Sequence, residues 1–182
     1  MKKIVFLCIT LLLTACVIKQ WEPTGGRYVM NSQGFAVDLP AGWKRYNQTQ
    51  EALLLTRDGI TLQQISISRR AIDKELPHTK KKFAKDMLPQ EAAGFIIDDI
   101  RSNPDFSNVE LIDNSPVQVS GYPGFKIVYS YRTKQGLTRK VINYGLLHGD
   151  WYYELVCAAP ARYYFERDSA TFERIEQSFK IL

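Results

Sequence analysis

Along Phe35-Ala36-Val37-Asp38-Leu39-Pro40, the residues Phe35, Val37 and Leu39 share one side, the period-two signature of a half-buried strand. Two further strand-like runs, residues 52–56 and 61–67, flank Arg57-Asp58-Gly59-Ile60, and Asp-Gly between apolar runs predicts a hairpin. The period then changes. Pro77 opens a helical stretch with Phe83, Met87 and Leu88 on its apolar side, and Pro89 opens a second through Phe95, Ile96 and Ile100, closed by Asn103-Pro104. Proline suits a first helical turn because the N–H it lacks would be unpaired there. After Asp105 strands return. Residues 109–112 and 117–120 lead to Gly121-Tyr122-Pro123-Gly124, a tight turn by composition. Phe125, Ile127, Tyr129 and Tyr131 then alternate along the next run, and residues 138–147 and 151–158 meet at His148-Gly149-Asp150. Phe172, Ile175, Phe179 and Leu182 recur at helical spacing, predicting a closing amphipathic helix. Runs of strands with helices set apart predict an α+β domain, an antiparallel sheet flanked by helices.

The first residues follow another logic. Met1-Lys2-Lys3 is positive, and residues 4–13 are nearly all apolar. A spanning helix needs ~20 apolar residues. This shorter run, with its positive start and the small residues after it, reads as a secretory signal peptide. Leu13-Thr14-Ala15-Cys16 resembles the lipobox of bacterial lipoproteins. The resemblance implies cleavage before Cys16, a diacylglycerol thioether on its thiol and acylation (a palmitate-type chain) of its new amino group. Val17, in place of the aspartate that retains such proteins in the inner membrane, implies the outer membrane, facing the periplasm. The expected organisation is residues 1–15 as signal peptide, 16–33 as tether and 34–182 as a single domain. Pro23, Gly25, Gly26, Asn31 and Ser32 without periodicity give the tether its flexibility, with a reach of roughly 20–25 Å.

Charge and cysteines narrow the partners. Of the formal +5, Lys2 and Lys3 contribute two and leave with the signal, so the remainder is mild. Together with export, this argues against nucleic acid. Of three cysteines, Cys8 is discarded and Cys16 acylated, leaving Cys157 without an intramolecular partner.

The candidate chemistry is sparse. His78 and His148 stand far apart with no cysteine pair nearby, so no zinc-type spacing exists and no metal or cofactor is expected. Cys157, on an alternating strand with Trp151, Tyr153 and Leu155, reads as a small core residue. No Gly-x-Ser-x-Gly elbow and no phosphate loop is present. Asp98 and Asp99 are adjacent on a helix and cannot face one another. Two surface features remain. Lys80-Lys81-Lys82 with Lys85, preceded by Arg69-Arg70, makes the first helix basic; such a run is a solvated face or a contact for anionic headgroups. In Trp151-Tyr152-Tyr153 and Tyr163-Tyr164-Phe165, neighbours point to opposite sides, so Tyr152, Tyr163 or Tyr164 is a candidate exposed aromatic at an interface. The candidate interface is thus Tyr152, Tyr163, Tyr164, Lys81, Lys82 and Lys85.

The opening strand with Leu39-Pro40 and Gly42-Trp43 comes first, then Gly121-Tyr122-Pro123-Gly124 and Gly149-Asp150-Trp151-Tyr152-Tyr153. With Ala159-Pro160 and a close of Ile175-Glu176-Gln177-Ser178-Phe179-Lys180, the set resembles the PsbP-like superfamily over residues 34–182. The resemblance implies an α/β/α sandwich around an antiparallel sheet, an accessory or assembly role, and no shared catalytic residue. The expected function is a non-enzymatic accessory or interaction module of the cell envelope, held to the bilayer through Cys16, with an envelope protein as partner. The alternatives are a small-molecule or lipid-binding module, with ligand between sheet and helices, and a hydrolase of envelope polymer.

Overall fold

Eleven strands and two α-helices form among residues 20–182, the part of the chain that this computed structural model describes. The expected signal peptide, residues 1–15, and Cys16 lie outside the described residues. In chain order the elements are β1 (Trp21–Pro23), β2 (Gly26–Met30), a 3₁₀ turn (Asn31–Gln33), β3 (Phe35–Leu39), β4 (Lys44–Tyr46), β5 (Leu53–Thr56) and β6 (Gln64–Ala71). Then follow α1 (Pro89–Arg101), β7 (Ser107–Val119), β8 (Tyr122–Arg132), β9 (Thr138–His148), β10 (Trp151–Pro160), α2 (Tyr164–Ser178) and β11 (Lys180–Ile181).

The main sheet has the order β1-β4-β5-β6-β10-β9-β8-β7 and is antiparallel throughout; a small sheet has the order β11-β3-β2. β7 to β10 form the expected meander, except that the runs expected at 109–112 and 117–120 belong to one strand and Tyr122–Gly124, expected in the turn, pair with β7 as the start of β8. β5 and β6 are the expected hairpin, with Leu53 opposite Ile67 and Leu55 opposite Ile65. Side chains alternate between faces, and here both faces are covered. On one face, Leu55, Ile67, Leu155 and Cys157 pack under α2 and the small sheet, meeting Phe35, Phe172 and Phe179. On the other, Phe125, Ile127, Tyr129 and Tyr152 pack under α1 and the segment 72–88, meeting Phe83, Ala93 and Ile96. The fold is thus α+β, a mostly antiparallel sheet between helical layers.

Three expectations change. Residues 21–30 are not tether: β1 pairs with β4 and β2 with β3, so the short, half-polar strands are made by their partners. Gly34, at φ 64, caps the 3₁₀ turn in the left-handed region and returns β2 into β3. The segment opening at Pro77 is not a helix. Asp99 Oδ1 accepts from the backbone N–H of His78 and of Thr79 (both 2.8 Å) and from the Thr79 hydroxyl (3.1 Å), and Lys80 takes φ 60. A loop pinned to α1 replaces the first helix. The second start holds: Pro89 opens α1, and Glu91 reaches back to the Leu88 N–H (2.9 Å). α2 ends at Ser178. Phe179 is extended and β11 pairs with β3, so Leu182 lies beyond the helix and is exposed.

Candidate functional site

The sites expected from sequence scatter. Tyr152 is buried, 1 % exposed, with Phe83 at 4.6 Å between ring centroids and its hydroxyl 3.4 Å from Glu154 Oε1. The alternation was right, but the opposite face is also core, so Tyr152 is no interface residue. Tyr163 is 62 % exposed and stands edge-on to Tyr164, which is half-buried; the Arg167 guanidinium lies 5.1 and 4.9 Å from their rings. The lysines lie in the 72–88 loop, not on a helix, and are paired. Lys81 meets Asp98 (2.7 Å), Lys82 meets Glu75 (4.0 Å) and Lys85 meets Asp150 (2.9 Å). These three lysines therefore form no bare basic face.

A charged cluster that sequence reading missed joins α2 to the β5–β6 hairpin. Asp168 is fully buried. It accepts from Arg57 Nη2 (2.7 Å), Arg167 Nη2 (2.9 Å) and Gln63 Nε2 (3.3 Å), and Gln63 also donates to Asp58 (3.0 Å). Its signal was present: Phe165, Asp168, Phe172 and Ile175 share one helix stripe, and one of the four is an acid. Hydrogen bonds from Arg167, and then from Gln63, hold the Asp58 carboxyl below its usual range. A depressed folded value means that this pair stabilises the fold above the ordinary aspartate range, and the gain fades as pH falls through the depressed value. Urea midpoints of wild type and Asp58→Asn should therefore draw together as pH falls below about 5, through and beneath the ordinary aspartate range; curves that stay parallel would contradict the pairing.

Cys157 is buried, and burial first, then the nearby Asp168 charge, pushes its thiol up to about 12. Near neutral pH almost no thiolate forms, which fits a residue packed in the core. A thiol reagent at about pH 8 should label Cys157 only as fast as the fold opens; rapid labelling of the native protein would reverse this assignment. No group of three or more metal-type ligands gathers among the described residues. His78 is exposed, and the His148 ring lies 4.2 Å from that of Tyr122.

What the fold does assemble is at one end of the main sheet. β6 outruns β5 there: Leu53 pairs with Ile67, leaving Ser68 to Ala71 without a strand on that side. Gln33 Oε1 takes the Arg69 backbone N–H (2.9 Å) and the Ala71 carbonyl takes the Lys74 N–H (3.1 Å), so this edge is capped. Beside it opens a groove of about 580 Å³, lined by Glu51, Arg69, Arg70, Lys74, Glu75 and Trp151, among others. The Arg69 guanidinium lies 4.1 Å from the Trp151 ring centroid. Trp151 is in register with His148, and the His148 ring lies tilted against that of Tyr122. A row of aromatic and cationic groups thus crosses β8, β9, β10 and β6 on one face. Trp151 is 36 % exposed and Tyr122 40 %. Arg70 and Lys74 make no ion pair among the described residues, whereas Glu75 has Lys82. Sequence reading placed Trp151 with the core. Its alternation with Tyr153 is correct, but β10 reaches past the small sheet's cover and leaves its first residue exposed.

No curated protein sequence matches the chain. Solved structures do. Cyanobacterial PsbP (CyanoP) from Synechocystis sp. PCC 6803 superposes with a TM-score of 0.57 at 15% identity, over 92% of this chain and 96% of that one. The Saccharomyces cerevisiae Ran-binding protein Mog1p gives 0.57 at 10% identity, over 88% and 96%. LpqN of Mycobacterium tuberculosis, described as involved in cell envelope biogenesis, gives 0.50 at 15% identity, over 89% and 90%. A Bacteroides thetaiotaomicron structure gives 0.54 at 12% identity over 87% of this chain, which spans only 49% of that one. At such identities these likenesses establish the fold. The family model for PsbP matches residues 26–181, beginning at β2 and ending at β11. The chain belongs to the PsbP family.

Proposed function

We propose that this chain is a lipid-anchored envelope protein that works by contact, as an accessory or interaction module for another envelope protein, and that it resides at the outer membrane. The observation that carries the reading is where its chemistry sits. A hollow of about 320 Å³ at the start of α1, beside Met87, Ala92 and Phe125, opens at the surface, and farther along α1, at Ile97, Ile100, Val109, Ile127 and Tyr129, the space above the sheet is about 10 Å³. That holds about one water at most, against the several hundred Å³ of a ligand cavity. Interior charges are committed to the Asp168 and Asp99 clusters, while the open groove and aromatic row lie at the surface. The description of LpqN as an envelope-biogenesis protein agrees with this address, and the Ran-binding role of Mog1p agrees with contact as a use of this fold.

The address is tested at Cys16. Wild type should take up a palmitate analogue and float with membranes, and Cys16→Ser should do neither; equal labelling of both would overturn the anchor. The contact function is tested by cross-linking in intact cells. One dominant envelope protein, captured by wild type and lost in Cys16→Ser, supports it. A small molecule retained through native mass spectrometry, with no protein captured, would replace it by the ligand-binding reading.

A further inference from the structure

We infer that the end of the main sheet carrying Tyr122, His148, Trp151 and Arg69 is turned to the bilayer, where Arg70 and Lys74 meet lipid phosphates. The inference rests on acylation of Cys16, as proposed above, and adds an orientation and a surface to it.

Strand register fixes the distances. Trp21 is level with Tyr46, and so, across β5 and β6, with Leu54, Ser66, Val156 and Asn143. β1 runs so that Gln20 lies one step from that line toward the Trp151 end. From the level of Gln20, Trp151 is four positions farther in the same direction, roughly 13 Å at ~3.3 Å per residue. The steps from Cys16 to Gln20 also number four, and span at most ~14 Å when fully extended. The anchored residue therefore reaches the level of the aromatic row. In the other direction Thr138 is six positions from Gln20, roughly 20 Å, and the β8–β9 turn extends beyond it. The tether cannot reach that end. The short link is itself a consequence of β1, which takes Trp21–Pro23 of the expected tether into the main sheet.

The chemistry at the reachable end suits a headgroup layer. Tryptophan and tyrosine favour the membrane interface, with one side apolar and one wet. Arginine and lysine extend their stems along apolar groups and hold their charges at phosphate. Glu75 and Asp150 at this end are answered by Lys82 and Lys85. Arg69, Arg70 and Lys74 then face Glu51, which lines the groove, and the exposed Asp73 as the remaining carboxylates. The opposite end and the α2 face are left free for a protein partner.

The experiment uses the full, acylated protein reconstituted into vesicles of phosphatidylethanolamine and phosphatidylglycerol. With Cys16 acylated and Cys157 buried, Asp73→Cys and Gln135→Cys each add one reactive thiol, at the two ends of the sheet, for a spin label. Nickel chelated on a lipid headgroup should relax the label at position 73 several-fold more than the label at 135. The pair Arg70→Glu and Lys74→Glu, placed in the Asp73→Cys protein, should cut that contrast by about twofold or more. Flotation with equal relaxation at both positions, as for a domain lying on its β1 edge, overturns the orientation, and so does a reversed contrast. A contrast indifferent to the charge reversals overturns the phosphate contact. A protein that takes no acyl chain and does not float overturns the anchor and this inference together.

Discussion

Replacing Asp168 by alanine is expected to destabilise the fold by about 3–5 kcal/mol, the cost of breaking a buried ion pair from one side. The carboxylate has essentially no solvent, and it gathers Arg57, Arg167 and Gln63 between α2 and the β5–β6 hairpin. Without it, two guanidinium groups face each other, and the Gln63 amide loses an acceptor while its Oε1 already lacks a partner. The arginine side chains are about one-third exposed (31% for Arg57, 27% for Arg167) and can turn to water, which places the effect toward the lower end of that range. Asp168→Asn keeps an acceptor for Gln63 and should cost less, about 2 kcal/mol. Urea unfolding of the purified domain reads both. A loss under about 1 kcal/mol for alanine would mean that the cluster is an incidental meeting of surface charges.

The second large effect is expected at Gly145, in the middle of β9. Its cross-strand partner in register is Phe125, whose ring lies flat over the glycine. A Cβ added there would stand 2.7 Å from Phe125 Cε2, inside the space of the ring, and the ring is fully buried beneath α1. Gly145→Ala must therefore drive a large aromatic off its seat, at a cost of about 1–3 kcal/mol. Phe125→Ala, which empties the same site, should cost about 3–5 kcal/mol. The pair offers a sharper check. In a Phe125→Leu background Gly145→Ala should be milder, with a coupling of about 0.5–3 kcal/mol by double-mutant cycle. Additive losses would show that the ring and the new methyl do not meet.

Much of this architecture is legible in the sequence. The meander from β7 to β10 followed from alternation punctuated by Gly121 and Gly149, because a strand that packs its faces differently must alternate. α1 followed from Pro89 and the spacing of its apolar residues. The stretch after Pro77 misled because Phe83 and Met87 stand at a helix-like interval. Yet what decides that segment is a carboxylate far along the chain, Asp99, which takes the His78 and Thr79 N–H groups into a different pattern. Local spacing cannot register such a competitor.

The exposure of particular residues was decided by tertiary structure alone. Alternation told that Tyr152 and Tyr153 point to opposite sides; that both sides are core follows from where α1 and the small sheet land. The lysine run was visible as charge, but its neutralisation by Glu75, Asp98 and Asp150 required the loop to fold back on α1 and the β9–β10 turn. β1 and β2 exist because β4 and β3 supply their hydrogen bonds; Trp21, Tyr28 and Val29 favour strands, but the polar and glycine residues between them leave no period to read. Sequence alone thus determined the periodicities, the turns and the lipobox resemblance at Cys16, since each depends on near neighbours. The Asp168 cluster, the groove beside β6 and the row from Tyr122 to Arg69 came only with the fold, because each joins residues that only strand pairing and helix packing bring within reach.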